Sequence, residues 1–362
     1  MRYANFPSLE LLDAQVRDRI LKAINFQEGD RVPIWDLLDN RAIWERFAQP
    51  GDSYEVGMAR TYQGLGIDLC RGFANSYAES DEGTTRSLGN TETKISGRTC
   101  WTTKYPIRSI EDIKNYKVEV QSWESIREQW VPWLRKQQEL LAPKTCYVPC
   151  TGCGFHATYG LMGLQLFSYA MYECPEELWR IMDAFCENTV RIATVCVEQR
   201  LTPIFFVGDD IACKGRLMFS PRYLRSTFIR LLKRIGDVLR PAGIKFFFHS
   251  DGNVMPILDD MIEAGIEGLN PIEPIAGMDI GYLKKHYYGR LVLIGNVDCS
   301  QVLPLGSVED VIRATKECIR VASPGGGHLI GSSSEIIAST PVENILAFYR
   351  TVHEYGRYPI RL

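Results

Sequence analysis

Side chains able to ligate a metal or move a proton recur at five places in the C-terminal half of this 362-residue chain. They are Gly208-Asp209-Asp210, His249-Ser250-Asp251-Gly252-Asn253, Asn270-Pro271-Ile272-Glu273, Gly295-Asn296-Val297-Asp298-Cys299 and Gly331-Ser332-Ser333-Ser334-Glu335. His249 is the sharpest of them. It follows three phenylalanines, has Asp251 two residues on, and suits either a metal ligand or a proton carrier together with Asp209 or Asp210. Cys299 offers a thiolate, or simply a small semi-buried residue opening a loop. Asp, Asn and Ser are also favoured helix caps, and a lone histidine is often a core residue, so no single position decides the matter. The recurrence over five sites argues for a shared polar pocket.

Other chemistry-bearing features read as structure. Cys150 and Cys153 form one CxxC with Cys146 just before it, and no second CxxC completes a four-cysteine zinc site. Gly325, Gly326 and Gly327 precede an apolar run at its entry side, where turn chemistry explains them better than phosphate binding. Trp123, Trp130 and Trp133 share one helical face and are expected to pack on the core. His156, His286 and His353 stand without a comparable constellation.

The five polar clusters each follow a short apolar run, and these runs are the elements that must position them. The runs are Pro203–Val207, Ile244–Phe248, Gly265–Leu269, Leu291–Ile294 and His328–Ile330. Continuous apolar runs of this length suit parallel strands buried on both faces. Amphipathic segments separate them. Ser220-Pro221 opens one helix, with Leu224, Phe228, Leu231, Leu232, Ile235 and Leu239 on its apolar side, and Pro241-Ala-Gly243 ends it. Ser307 and Asp310 read as a capping box, and Thr340-Pro341 starts the last helix. Arg31–Trp35, Ile67–Cys70 and Cys146–Pro149 supply three earlier runs, which makes eight. Alternating strands and helices in that number predict a single (β/α)8 TIM barrel over residues 1–362, with an N-terminal helical extension. An insertion over about 76–142 carries antiparallel hairpins between Thr84 and Tyr105. In such a barrel the strand C-terminal ends carry the active site.

Composition limits the partners. Lys and Arg total 41 against 44 for Asp and Glu, so no basic excess marks a nucleic-acid protein. The longest apolar runs fall far short of the roughly 20 residues needed to span a membrane. Eleven cysteines lack the even spacing of a disulfide framework, and the first residues lack a secretory apolar region. A reduced, soluble, cytoplasmic protein is expected, with a homodimer open as an alternative to a monomer.

Several stretches resemble the uroporphyrinogen decarboxylase family, which includes corrinoid-dependent methyltransferases. They are Arg31-Val-Pro-Ile-Trp35, Tyr105–Asp112, His249-Ser-Asp-Gly-Asn253, Gly295-Asn-Val-Asp298 and Ser339–Asn344. Decarboxylases of this family clamp substrate carboxylates with an arginine motif after the first strand, where only Arg41 stands here. Methyltransferases serving coenzyme M carry His-x-Cys and a second Cys as zinc ligands. At those places this chain has His249-Ser250-Asp251 and Ser334-Glu335.

The resemblance therefore implies a demethylase-type methyltransferase, which passes a methyl group from a methoxylated or methylamine-type small molecule to cob(I)amide. The chain lacks the Asp-x-His-x-x-Gly of corrinoid-binding domains, so the corrinoid is expected on a separate protein. Zinc held by His249 and Asp251, with Glu335 or Cys299 as a further ligand, would stabilise the leaving group. A protonated acid among Asp209, Asp210, His249 and Glu273 is the alternative. Phe73 and Tyr77 are candidates to stack on the substrate, and Asn270, Asn296 and Asp298 to contact donor or corrinoid. Tetrapyrrole decarboxylation and a non-catalytic corrinoid- or tetrapyrrole-binding barrel are the rival readings.

Overall fold

The structure is a computed structural model that describes residues 6–73, 85–88, 91–96 and 99–362. Its strands in chain order are β1 (Trp35–Asp36), β2 (Leu69–Cys70), β3 (Thr85–Leu88), β4 (Thr91–Ser96), β5 (Thr99–Lys104), β6 (Cys146–Tyr147) and β7 (Cys150–Thr151). They continue as β8 (Ile204–Gly208), β9 (Ala212–Cys213), β10 (Arg216–Leu217), β11 (Lys245–His249), β12 (Gly268–Asn270), β13 (Val292–Ile294) and β14 (His328–Leu329).

Parallel pairing dominates, as the continuous apolar runs predict. One sheet runs β1-β2-β6 and a second runs β14-β13-β12-β11-β8-β7. Phe246, Phe247 and Phe248 of β11 are all fully buried, which a strand covered on both faces requires. Val148 and Pro149 join the sheets: Val148 N–H donates to Cys70 O at 2.8 Å, while Pro149 O accepts from Phe206 N–H at 3.0 Å. On the other side, Ile330 beyond β14 forms a parallel bridge with Ile34 before β1. β3, β4 and β5 form an antiparallel sheet inside the expected insertion.

Helix ends follow their local chemistry. Ser307 and Asp310 make a reciprocal capping box at the start of Val308–Ala322. The helix expected over 221–239 is instead two, Pro221–Ser226 and Phe228–Leu239. Thr227 separates them: its hydroxyl donates back to Tyr223 O at 2.7 Å while its backbone leaves the helical region. Within Trp123–Leu141 the buried stripe is Ile126, Val131, Leu134 and Leu141, and the tryptophan face departs from expectation. Trp123 and Trp133 are exposed: Arg127 and Arg191 lie over the Trp123 ring, and Trp133 packs edge-on against Trp130 and Tyr147. Gly325 to Gly327 all have positive φ, and a Cβ on Gly326 would meet Gln27 O at 2.4 Å. Those glycines form the turn the sequence implies.

At the N-terminal ends of the strands, charges are buried in pairs. Asp68, just before β2, accepts from Arg19 at 2.5 Å, from Arg31 at 2.7 Å and from Ile34 N–H at 2.7 Å. Arg31 of the Arg31–Trp35 stretch thus serves the fold, far along the strands from the polar clusters.

Candidate active site

The site is built from the C-terminal end of β11. Register pairs His249 with Gly208 on one side and with Asn270 on the other. That register brings the His249 Nδ1 to 2.7 Å from Asn270 Oδ1. An amide oxygen only accepts, so Nδ1 carries the proton and Nε2 keeps its lone pair. Nε2 faces Asp251 Oδ1 at 3.6 Å and Asp210 Oδ1 at 3.8 Å. Burial, and after it the Arg71 charge, push the His249 pKa down to about 4, so the ring is neutral near pH 7.

The two carboxylates are held close by the backbone. Asp251 N–H donates to Asp210 Oδ1 at 3.0 Å. Asp251 Oδ1 is buried without a hydrogen-bond partner. Burial and the neighbouring Asp210 raise the Asp251 pKa to about 6, against a Ser334 hydrogen bond and Arg71, which lower it. Ligand atoms of Asp210, His249 and Asp251 all lie within 4.8 Å of one another. One neutral imidazole nitrogen and two carboxylate oxygens make a borderline-hard donor set fitting a divalent cation such as zinc. The Asn270 contact supplies the outer support that ligating histidines ordinarily have. An uncompensated buried carboxylate oxygen is what a cation would satisfy.

Two more acids crowd the rim. Glu273 Oε2 accepts from Gly252 N–H at 2.6 Å. Gly252 has φ +84°, and a Cβ there would meet Cys213 N at 2.4 Å, so a side chain cannot replace it without moving this loop. Burial first, then Asp251 and Asp210, raise the Glu273 pKa. Burial raises Glu335 as well, with Asp39 and Asp251 adding to it and Arg71 opposing.

The remaining sequence-predicted residues are engaged elsewhere. Asp209 Oδ2 accepts from Cys153 Sγ at 2.7 Å, Phe155 N–H at 2.9 Å and Cys153 N–H at 3.1 Å, which pins the loop after β7. Asp298 Oδ1 caps the next turn by accepting from the N–H groups of Ser300 and Gln301. Asn296 Nδ2 donates to Ile272 O at 3.1 Å. Cys299 stands outside the His249 cluster, its N–H and Sγ both bonded to the Ser333 hydroxyl. Phe73 packs on Tyr62 at 5.9 Å between ring centroids. Tyr77 lies outside the described residues.

Comparison with known proteins places the chain. The uroporphyrinogen decarboxylase (URO-D) family pattern matches residues 93–355. The chain belongs to the uroporphyrinogen decarboxylase family. Among curated relatives, "Methylcobamide:CoM methyltransferase MtaA" of Methanosarcina barkeri is 34% identical over 174 residues, 48% of each chain. Its counterpart from Methanosarcina barkeri (strain Fusaro / DSM 804) is 33% identical over the same length. The chain thus spans about half the length of the curated relatives it matches. A solved methyltransferase from Methanosarcina mazei shares the fold, with a TM-score of 0.70, 20% identity, and coverage of 94% of this chain and 98% of that one.

Within this uroporphyrinogen decarboxylase family chain, two site residues escape the sequence reading. Arg71 follows β2, and its guanidinium carbon lies 5.5 Å from the Phe206 ring centroid. The strand-end rule applied to β2 as to the later strands points to it. Arg41, the arginine suggested by the family's early motif, is instead exposed, paired with Glu45 at 2.9 Å and lying over Trp44. His156 stacks on Tyr159, and its Nδ1 comes within 3.8 Å of Asp210 Oδ2. No spacing rule reveals that contact: His156 lies in the helix Phe155–Gly160 after β7, and only the pairing of β7 with β8 brings it beside Asp210, just past β8. Among the described residues, no helix is long and apolar enough to cross a membrane.

Proposed function

We propose that this protein transfers a methyl group from a methoxylated or methylamine-type small molecule to the cob(I)amide of a separate corrinoid protein. The observation that carries the reading is the Asp210–His249–Asp251 cluster with its orphaned Asp251 oxygen, in a chain related to methylcobamide:CoM methyltransferases. We read residues 1–362 as one (β/α)8 barrel, in which the Ile34–Ile330 bridge and the β6–β7 junction join the two parallel sheets into a ring. The cluster then sits at the strand C-terminal ends, where this architecture places its chemistry.

Asp210, His249 and Asp251 would hold a divalent cation, zinc being the one the donor set suits, with Glu335, whose carboxyl feels the Asp251 charge, as a further ligand. When bound, the cation supplies Lewis acidity to the donor's leaving oxygen or nitrogen, and the partner's corrinoid accepts the methyl group. The chain's own residues orient and tune that centre. Asn270 fixes the His249 ring, and burial keeps the ring unprotonated and free to ligate. Glu273, whose pKa is raised by burial and then by the Asp251 and Asp210 charges, stands outside the ligand set and can hold a proton for the departing oxygen or nitrogen. The His249–x–Asp251 pairing, in place of His-x-Cys, gives a harder site than a thiol substrate would call for. A polycarboxylated tetrapyrrole would need several guanidinium or ammonium contacts, and the rim acids disfavour it.

The test supplies purified protein with reduced corrinoid protein and a panel of methoxylated and methylated amine donors. Methylcobamide formation that is lost in His249→Ala supports the reading. No methylcobamide from any donor overturns it. About one equivalent of zinc in the parent, absent from His249→Ala, supports the metal route over purely acid-assisted departure.

A further inference from the structure

Arg71 carries a hydrogen-bond donor that the protein leaves unused. It emerges from the C-terminal end of β2, and its guanidinium lies over Phe206, whose ring centroid is 6.1 Å from that of His249. Arg71 and His249 therefore flank one aromatic side chain of β8. The Arg71 Nε is buried and has no hydrogen-bond partner. The ion-pair contacts of Asp210 and Asp251 run to His156 and His249 instead. Its charge nevertheless reaches the centre, lowering the pKa of His249, Asp251 and Glu335.

A guanidinium presents Nε–H and one Nη–H as two parallel donors, the spacing of a carboxylate's two oxygens. A buried N–H on a permanent cation with no acceptor is costly, and an anionic ligand would supply the acceptor. Phe206 covers the guanidinium on one side, its ring centroid 5.5 Å from the guanidinium carbon. We propose that Arg71 binds the carboxylate of the methyl donor, making the substrate a small methylated carboxylic acid and not a neutral ether or a cationic amine.

The assignment deepens the methyl-transfer reading and rests on it for the word donor, but it is tested without turnover. Binding of methoxyacetate and methoxybenzoate is measured by calorimetry against their neutral isosteres, methoxyacetamide and methoxybenzamide. The parent protein is expected to bind at least one acid roughly 10- to 100-fold tighter than its amide. Arg71→Gln brings acid and amide to within about twofold of each other, while amide affinity stays at the parent level. Arg71→Lys keeps part of the preference, since the charge remains and the fork is lost. Equal acid and amide affinity in the parent, no acid binding at all, or an undiminished acid preference in Arg71→Gln each overturns the assignment. If Arg71→Gln does not fold, the parent's acid preference and the Arg71→Lys loss decide. An Arg71-dependent acid preference without methyl transfer from any donor would sink the methyl-transfer reading and leave the anion site standing. Methyl transfer equal from acid and amide would do the reverse.

Discussion

The two ends of the parallel strands handle buried charge in opposite ways. At the N-terminal end, every oxygen of Asp68 is answered: Arg19 and Arg31 pair with it and Ile34 N–H donates to it. At the C-terminal end, Asp251 keeps a buried oxygen without a partner, Arg71 keeps a buried Nε without one, and acids crowd one another. A buried charge costs several kcal/mol unless paired, so the first arrangement is consistent with a role in the fold. The second leaves energy unrecovered in the empty state, as a site awaiting a cation and an anionic ligand would.

The sharpest way to separate the ends is His249→Ala. Methyl transfer should fall about 10²- to 10⁴-fold, with the thermal midpoint little changed. Next comes Asp68→Asn, which strands Arg19 and Arg31. Denaturant titration should show a loss of about 3–5 kcal/mol, while zinc binding by the folded variant is unaltered. Asn270→Ala removes the support of the His249 ring, and zinc affinity should drop about 10- to 100-fold. Here too, a change in stability without a change in zinc affinity would erase the distinction.

Asp251→Asn, the same change as at Asp68, should have the opposite sign in metal-free protein. The Asp251 pKa rises on folding from its ordinary 3.8 to about 6. The folded state therefore holds this proton more tightly than the unfolded chain does. The stability this confers is full below about 4 and is lost as pH climbs through about 6. The parent should thus lose ground to Asp251→Asn as pH rises across that window, read as the gap between their melting curves. His249, lowered to about 4, works in the reverse sense between that value and its ordinary 6.5, so the difference between variants and not the parent curve alone is the measurement. Arg41→Ala should do least: the Glu45 pair is exposed, so stability should move by no more than about 0.5 kcal/mol and turnover not at all.

Much of this arrangement was legible in the residues. Phe246-Phe247-Phe248 followed by His249 suits a buried strand delivering an imidazole at its end, because a strand covered on both faces buries successive side chains and the polar residue marks where that cover stops. The Ser307–Asp310 box and the turn at Gly325–Gly327 follow from local chemistry alone. Asp209, Asp210, Asp251 and Asp298 looked alike in the sequence, each an acid just past an apolar run. They part company on which backbone N–H groups lie within reach. The loop after β7 captures Asp209, and the turn at Ser300 captures Asp298, whereas Asp210 and Asp251 are turned toward His249. Arg71 follows β2 with no acidic cluster beside it to mark the position, and the His156–Asp210 contact arises only when β7 pairs with β8.

The sequence by itself determined the alternation of buried strands and amphipathic helices, the family, and the strand ends at which chemistry would sit. Hydrophobic periodicity and capping are local, so they survive in one dimension. Only the tertiary structure decided which polar residues meet. Register set His249 against Asn270, burial shifted the titration of His249 and Asp251, and the surrounding groups leave one Asp251 oxygen without a donor and the Arg71 Nε without an acceptor. Those outcomes depend on what surrounds a side chain in space, and residues as far apart in the chain as Arg71 and His249 come together only once the strands have paired.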